Sequence, residues 1–194
     1  MTTVSSMATA SGILLPSKIY DVIIQELKVH KDKRGYFKEV FCTDWKVFIG
    51  INIILIAQTY MKKDVIKAWH FHHTHYDVWH FSSGLARVIL YDDRKESPTY
   101  GASQEFLVGD PQKYPEAKAL CIRIPPGVLH ACEVISKEGA TLVYATDKAY
   151  DPTDEGRYPW NDERFNVTWK TPNPVVSESD TKYYTPPHKR ALIC

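Results

Sequence analysis

Five histidines crowd the stretch from Lys67 to Gly84, and a sixth, His130, closes the run Pro125-Pro126-Gly127-Val128-Leu129-His130. Alternate side chains of an extended strand share a face, so His70 and His72 point the same way. Two imidazoles aimed at one point have two uses. With Asp77 and His130 they form a ligand set (His70, His72, Asp77, His130) suited to a divalent transition metal such as Zn, Fe, Ni or Mn. Alternatively, one imidazole of near-neutral pKa serves as a base. The two uses exclude each other at His70, because a lone pair bound to a metal cannot also accept a proton. His73, His75 and His80 read as polar residues of a turn and a strand, the ordinary role of such side chains.

The elements that must position this cluster read as strands. Short segments rich in Val, Ile, Tyr and Trp alternate with twelve prolines and nine glycines, a pattern of many strands joined by turns. Strands are predicted over 22–29, 35–41, 53–60, 65–71, 77–83, 86–92, 104–108, 119–124, 131–134 and 141–146, which implies a sandwich or barrel. Short helical turns are expected at Asp44–Phe48, capped near Thr43, and at Asp110–Tyr114, where Pro111 and Pro115 limit the length. Asp162, in Trp160-Asn161-Asp162, reads as a turn residue. Six of the twelve prolines lie beyond Tyr150, so the end of the chain is expected to be irregular and to wrap on the barrel or on a neighbouring subunit. The whole chain, 1–194, reads as a single domain with a core over 18–180 and a tail over 181–194.

Composition narrows the function. The 24 Lys and Arg are nearly matched by 23 Asp and Glu, which argues against nucleic acid or an anionic membrane as a partner. No apolar run is long enough to span a bilayer, and the first sixteen residues lack the form of a signal peptide. Cys42, Cys121, Cys132 and Cys194 show no paired spacing, so free thiols in a reducing cytoplasm are expected.

Two resemblances sharpen this reading. His70-x-His72, Asp77 and Gly84, followed by Pro125-x-Gly127-x-x-His130, resemble the two motifs of the cupins, with Asp where Glu is usual. That resemblance implies an all-β double-stranded β-helix, a jelly-roll barrel, with extended N-terminal strands. From about Asp21 to Asp180 the chain also resembles the dTDP-4-dehydrorhamnose 3,5-epimerase family. The matching residues are Asp32-Lys-Arg34-Gly-Tyr-Phe37-Lys-Glu39-Val-Phe41, Val65-Ile-Lys67-Ala-Trp-His70, Ser97-Pro-Thr-Tyr-Gly101, Ile124-Pro-Pro-Gly127-Val-Leu-His130, Tyr144, Tyr150-Asp-Pro152-Thr-Asp-Glu155, Trp160-Asn-Asp162 and Ser177-Glu-Ser-Asp180.

The family resemblance implies epimerisation at C3, C5 or both of a nucleotide-linked 4-keto-6-deoxy hexose, without an obligatory cofactor and in a homodimer. It implies His70 as base, Asp180 as the carboxylate that orients it and Tyr144 as the acid on the opposite face. Arg34, Phe37, Glu39, Gln58, Lys67, His72, His130, Tyr150 and Glu155 fall at substrate-lining positions, with Tyr150 stacking on the nucleotide base and the Arg34 guanidinium suited to a diphosphate. The C4 ketone acidifies the hydrogens on its neighbours, so a neutral imidazole can remove one if the enolate oxygen is stabilised. The sequence departs from the family at Asp77, which stands near the position where the family carries a lysine that faces that oxygen. Either Lys67 or His72 then supplies the positive field, or a metal held by His72, Asp77 and His130 does. A metal-dependent cupin dioxygenase or isomerase and a non-catalytic sugar-binding cupin are the alternatives. The motif pair is expected to face its partner across two sheets, with His130 opposite His70 and His72.

Overall fold

The computed structural model describes Ala8–Thr9 and residues 12–185; Cys194 and most of the expected 181–194 tail lie outside the described residues. The strands are β1 (Ala8–Thr9), β2 (Gly12–Leu15), β3 (Ile23–Leu27), β4 (His30–Asp32), β5 (Gly35–Phe37), β6 (Leu55–Met61) and β7 (Ile66–His72). They continue as β8 (Asp77–Ser83), β9 (Leu85–Asp92), β10 (Ser103–Gly109), β11 (Leu120–Ile124), β12 (Val128–Val134), β13 (Ala140–Thr146) and β14 (Glu155–Arg157). One sheet has the order β1-β2-β3-β11-β8-β13-β6, and the other β10-β9-β12-β7-β14. The small hairpin β4–β5 pairs only with itself. The two sheets form the jelly roll, with the N-terminal strands β1–β3 extending the larger one. No helix among the described residues is long and apolar enough to cross a membrane.

The core follows from strand alternation. Trp79 and Phe81 of β8 and Ile122 and Ile124 of β11 meet Val88 and Leu90 of β9 and Val128, Cys132 and Val134 of β12 between the sheets. Each fully buried aliphatic side chain there contributes about 1.5–3 kcal/mol. On the other side of β8, Val78 packs with Trp45, Val47 and Phe48, while His80 donates or accepts nothing from solvent and bonds Leu120 O through Nδ1 at 2.8 Å. Burial, first, and the charge of Lys38, second, push the His80 pKa down to about 4. The β8–β9 turn is closed by Gly84 at φ +77°, where a Cβ would lie 2.2 Å from Gly139 O.

Two helical expectations are corrected. The first shrinks to a 3-10 turn, Lys46–Phe48, entered through Trp45 with no side-chain cap. Asp110–Tyr114 is a turn rather than a helix: Tyr114 N reaches Asp110 O at 2.9 Å, and the prolines at each end stop propagation. The irregular segment after β14 does wrap the barrel. Phe165, Tyr158, Trp160 and Trp169 cover the outer face of the smaller sheet against Ile66, Trp69 and Leu129.

A bulge on β7 decides what faces the interior. His130 of β12 is opposite His70, and Cys132 is opposite Lys67. Two steps on β12 therefore match three on β7, so β7 carries one extra residue. Ala68 and Trp69 both turn outward into the outer cluster, and Lys67, His70 and His72 all face inward. A regular strand would have sent Lys67 and His70 to opposite faces.

Candidate active site

The inward residues line a cavity of about 350 Å³. The smaller sheet contributes Lys67, His70 and His72 from β7, His130 and Cys132 from β12, and Glu155 and Arg157 from β14; the larger one contributes Leu55 and Thr59 from β6, Asp77 and Trp79 from β8, and Leu142, Tyr144 and Thr146 from β13. His130 and His70 are thus neighbours in one sheet, not partners across two. The facing wall carries Asp77 and Tyr144 instead, because β8 and β13 pair with each other.

His70 Nε2 lies 2.9 Å from Asp180 Oδ1. Asp180 sits on the 3-10 turn Glu178–Thr181, and Ser177 caps that turn by accepting from Asp180 N. Burial alone would raise the Asp180 carboxyl pKa; the hydrogen bond and charge of His70, with Ser177, outweigh it and hold the pKa below the usual range. An ionised carboxylate only accepts, so Nε2 carries the proton and Nδ1 of His70 holds the lone pair. Tyr144 enters the cavity from β13, opposite Ala57 and Trp79. Burial, then the charges of Asp77 and Glu155, raise its pKa, so its hydroxyl keeps its proton at neutral pH. Lys67 Nζ donates to Thr59 Oγ1 at 3.3 Å.

Asp77, 4% exposed, is surrounded by imidazoles. His72 Nε2 lies 3.2 Å and His130 Nε2 3.6 Å from its Oδ2, and His75 Nε2 lies 3.9 Å from its Oδ1. Burial opposes charge on His72, yet the hydrogen bond and charge of Asp77, with Glu155 and Asp154, leave its pKa raised. Burial dominates at His130 and pushes it down to about 3. His75 was expected to be a plain turn residue; it is buried, and its ring stacks on His72 at 3.7 Å between centroids. Its position two before Asp77 is the signal that places it on the same side. Asp154, which sequence reasoning passed over in favour of Glu155, holds the loop by accepting from His75 Nδ1 at 2.7 Å and Thr74 Oγ1 at 2.8 Å.

Several expected site residues lie elsewhere. His70 does not join the alternative metal-ligand set, since its Nε2 is paired with Asp180; among the described residues, the three whose candidate ligand atoms lie within 4.8 Å of one another are His72, His75 and Asp77. Gln58 points outward: it is opposite Val143, whereas Leu55, Ala57 and Thr59 share the inner side with Tyr144. Arg34 and Phe37 stand exposed on the β4–β5 hairpin, with Arg34 paired to Asp32, and Glu39 is exposed just beyond it. None of the three lines the cavity, because the hairpin pairs with neither main sheet. Tyr150, 73% exposed, stands at the mouth. There a second hollow of about 700 Å³, lined by Tyr150, Glu155, Arg157, Lys182, Tyr183 and Tyr184, continues the first. Asp162 is a turn residue as expected, accepting from Arg164 N at the start of a 3-10 turn.

Comparison with known proteins agrees with this architecture. The family model for dTDP-4-dehydrorhamnose 3,5-epimerase matches residues 16–186. The spore coat polysaccharide biosynthesis protein SpsL of Bacillus subtilis is 34% identical over 152 residues, covering 77% of this chain and 95% of that protein. The dTDP-4-dehydrorhamnose 3,5-epimerase of Shigella flexneri is 31% identical over 180 residues, covering 86% and 92%. Among solved structures, NovW, a 4-keto-6-deoxy sugar epimerase from Streptomyces spheroides, superposes with a TM-score of 0.79 at 22% identity, over 95% of this chain and 92% of that one; at that identity the likeness establishes the cupin fold alone. On the family match and the two relatives above 30% identity, the chain belongs to the dTDP-4-dehydrorhamnose 3,5-epimerase family and is an isomerase-class enzyme, an epimerase.

Proposed function

We propose that this protein inverts C3, C5 or both of a dTDP-linked 4-keto-6-deoxy hexose, with His70 as base, Asp180 as its positioning carboxylate and Tyr144 as acid. One observation carries the assignment: His70, backed by Asp180, and Tyr144 open onto one cavity from different sheets. A sugar ring between them presents one face to each. His70 Nδ1 takes the proton from carbon, the C–H pair becomes the C=C bond of an enolate, and the carbonyl π pair moves to oxygen. The Tyr144 hydroxyl then returns a proton to the other face, which inverts the centre. Lys67 and the imidazoles around Asp77 lie on the cavity wall to meet the charge on oxygen. The hollow beyond Tyr150, with Arg157 and Lys182, suits the diphosphate and base of the nucleotide.

The active unit in this reading is one cupin domain whose free thiols, Cys42, Cys121 and Cys132, fit a reducing cytoplasm. It works as a homodimer: the exposed Arg34 and Phe37 cannot serve their own cavity but can complete a neighbour's. The test is a reaction in D₂O with dTDP-4-keto-6-deoxyglucose followed by NMR. Deuterium at C3 or C5 with an inverted product is expected, and its absence with this and other nucleotide sugars would falsify the assignment. The number of deuterons per product counts the centres inverted.

A further inference from the structure

We propose that His72, as an imidazolium held by Asp77, is the cation that faces the enolate oxygen, and that Asp154, acting through His75, is the residue that positions it. This deepens the epimerase reading and rests on it for the task of the charge, not for its existence. His72 Nε2 lies 3.2 Å from Asp77 Oδ2, and of the two the imidazole is the more open to the cavity, with 14% of its side chain exposed against 6%. An entering oxygen therefore meets the positive end of the pair first. Burial alone would raise the Asp77 carboxyl pKa, but the hydrogen bond and charge of His72 outweigh it and hold it down at about 2. Ionised, Asp77 only accepts, so His72 Nε2 carries a proton. The other nitrogen of that ring, Nδ1, is shut off from water and has no hydrogen-bond partner among the described residues, so neither solvent nor protein quenches the charge on that side.

The neighbours decide that the charge sits on His72 and not on another ring. Asp77 from β8, His130 from β12, Glu155 from β14, and His75 and Asp154 from the loops face it. The Asp154 carboxylate accepts from His75 Nδ1 at 2.7 Å, and the Val128 carbonyl accepts from His130 Nδ1 at 3.3 Å. Burial, joined at His75 by the charge of His72, keeps both of these rings neutral. Their Nε2 lone pairs turn towards Asp77, so His72 is the ring that donates to it. The three rings form a stack with His72 in the middle, 3.7 Å from the His75 centroid at 27° and 5.3 Å from that of His130 at 28°. Stacked rings direct their nitrogens along near-parallel planes, which keeps His72 and His75 from converging on one ion, whereas a neutral ring face attracts a cation laid against it. Asp154 fixes this order. It also accepts from Thr74 Oγ1 at 2.8 Å, and its carbonyl accepts from His73 N at 3.0 Å, so the β7–β8 loop is pinned to the segment leading into β14 and His75 is held flat on His72. The wall where the family resemblance places a lysine thus regains a positive charge from β7, with Asp77 behind it.

The charge is read first, by NMR at pH 7 on full-length protein labelled with nitrogen-15 in its histidine rings. His72 is expected with both nitrogens protonated and His75 with Nδ1 alone protonated. A neutral His72 in the wild-type protein overturns the proposal without recourse to any variant. The rate is read next. His72→Gln should slow C–H exchange in D₂O by about 10²–10³-fold, the loss for a group that stabilises an oxyanion, while affinity for dTDP holds. Asp154→Ala should lower kcat by up to about 10²-fold, as a displaced group near the reacting atoms does, with KM steady. Asp154→Asn, whose amide oxygen still accepts from His75 Nδ1, should recover most of that loss. Wild-type kcat in His72→Gln, a loss confined to dTDP affinity, or an Asn variant as poor as the Ala variant overturns the assignment of roles. Exchange by a wild-type protein whose His72 is neutral removes this inference and leaves epimerisation intact, whereas a charged His72 in a protein that exchanges no sugar nucleotide removes epimerisation and leaves the charged stack.

Discussion

Asp180 reaches His70 across 110 positions of sequence to accept from Nε2 at 2.9 Å, and it does so from the 3-10 turn Glu178–Thr181. The contact settles which nitrogen of His70 bears the proton. It also makes the position of His70, the proposed base, depend on a segment that belongs to neither sheet.

Replacing Asp180 with Asn removes the charge that steadies the imidazolium and lets the ring adopt the other tautomer. The rate of C–H exchange should fall by about 10²–10⁴-fold, the range for losing a positioned acid–base partner. Substrate affinity should change little, because Asp180 does not line the cavity. Single-turnover exchange in D₂O measures the first quantity and calorimetric titration with dTDP the second; a loss confined to affinity contradicts the positioning role.

Tyr144→Phe separates abstraction from return. With the hydroxyl gone, His70 still removes and restores a proton on its own face, so deuterium enters the substrate with retention while inversion slows by about 10²-fold or more. The ratio of wash-in to epimer, read by NMR, should therefore rise above that of the wild-type protein. Equal loss of both would mean that Tyr144 acts in binding rather than as the acid.

The sequence made the strands legible where burial on one face repeats every second residue. Asp77–Ser83 is an example: its inward Trp79 and Phe81 alternate with outward Val78 and His80. β14 was not legible, since three residues become a strand only by pairing with the edge of β7. Gln58 was misplaced by one residue, and in a strand one residue is the whole difference between pocket and surface. The bulge at Ala68 and Trp69 had no local signal, although it is what brings Lys67 to the His70 side. His75 and Asp154 escaped because their roles arise from a contact between two loops 79 positions apart.

Stability should depend on acid through Asp92, a fully buried residue. Burial alone would raise its pKa, but hydrogen bonds from Arg94, Ser97 and Thr99 outweigh that and lower it to about 2. An ordinary aspartate in the unfolded chain titrates near 3.9. The unfolded state thus binds the proton first as pH falls, so the contribution of about 2 kcal/mol is complete above about pH 5 and disappears towards pH 2. Urea unfolding between pH 5 and pH 2.5 should show a smaller decline in Asp92→Asn than in the wild-type protein. Parallel slopes would assign the acid sensitivity to other carboxylates.

The homodimer proposed above predicts complementation between two defective chains. Arg34→Ala damages the hairpin but keeps His70, and His70→Asn damages the base but keeps the hairpin. If each hairpin completes the neighbouring cavity, a mixed dimer holds one site with both parts intact. Random exchange of equal amounts then restores about a quarter of wild-type sites, by the symmetry of a two-fold assembly. Refolding the two variants together, beside each refolded alone, measures the gain in epimerase rate. If the hairpin serves its own chain, every mixed dimer carries one defect in each site, and the mixture does no better than the average of its parts.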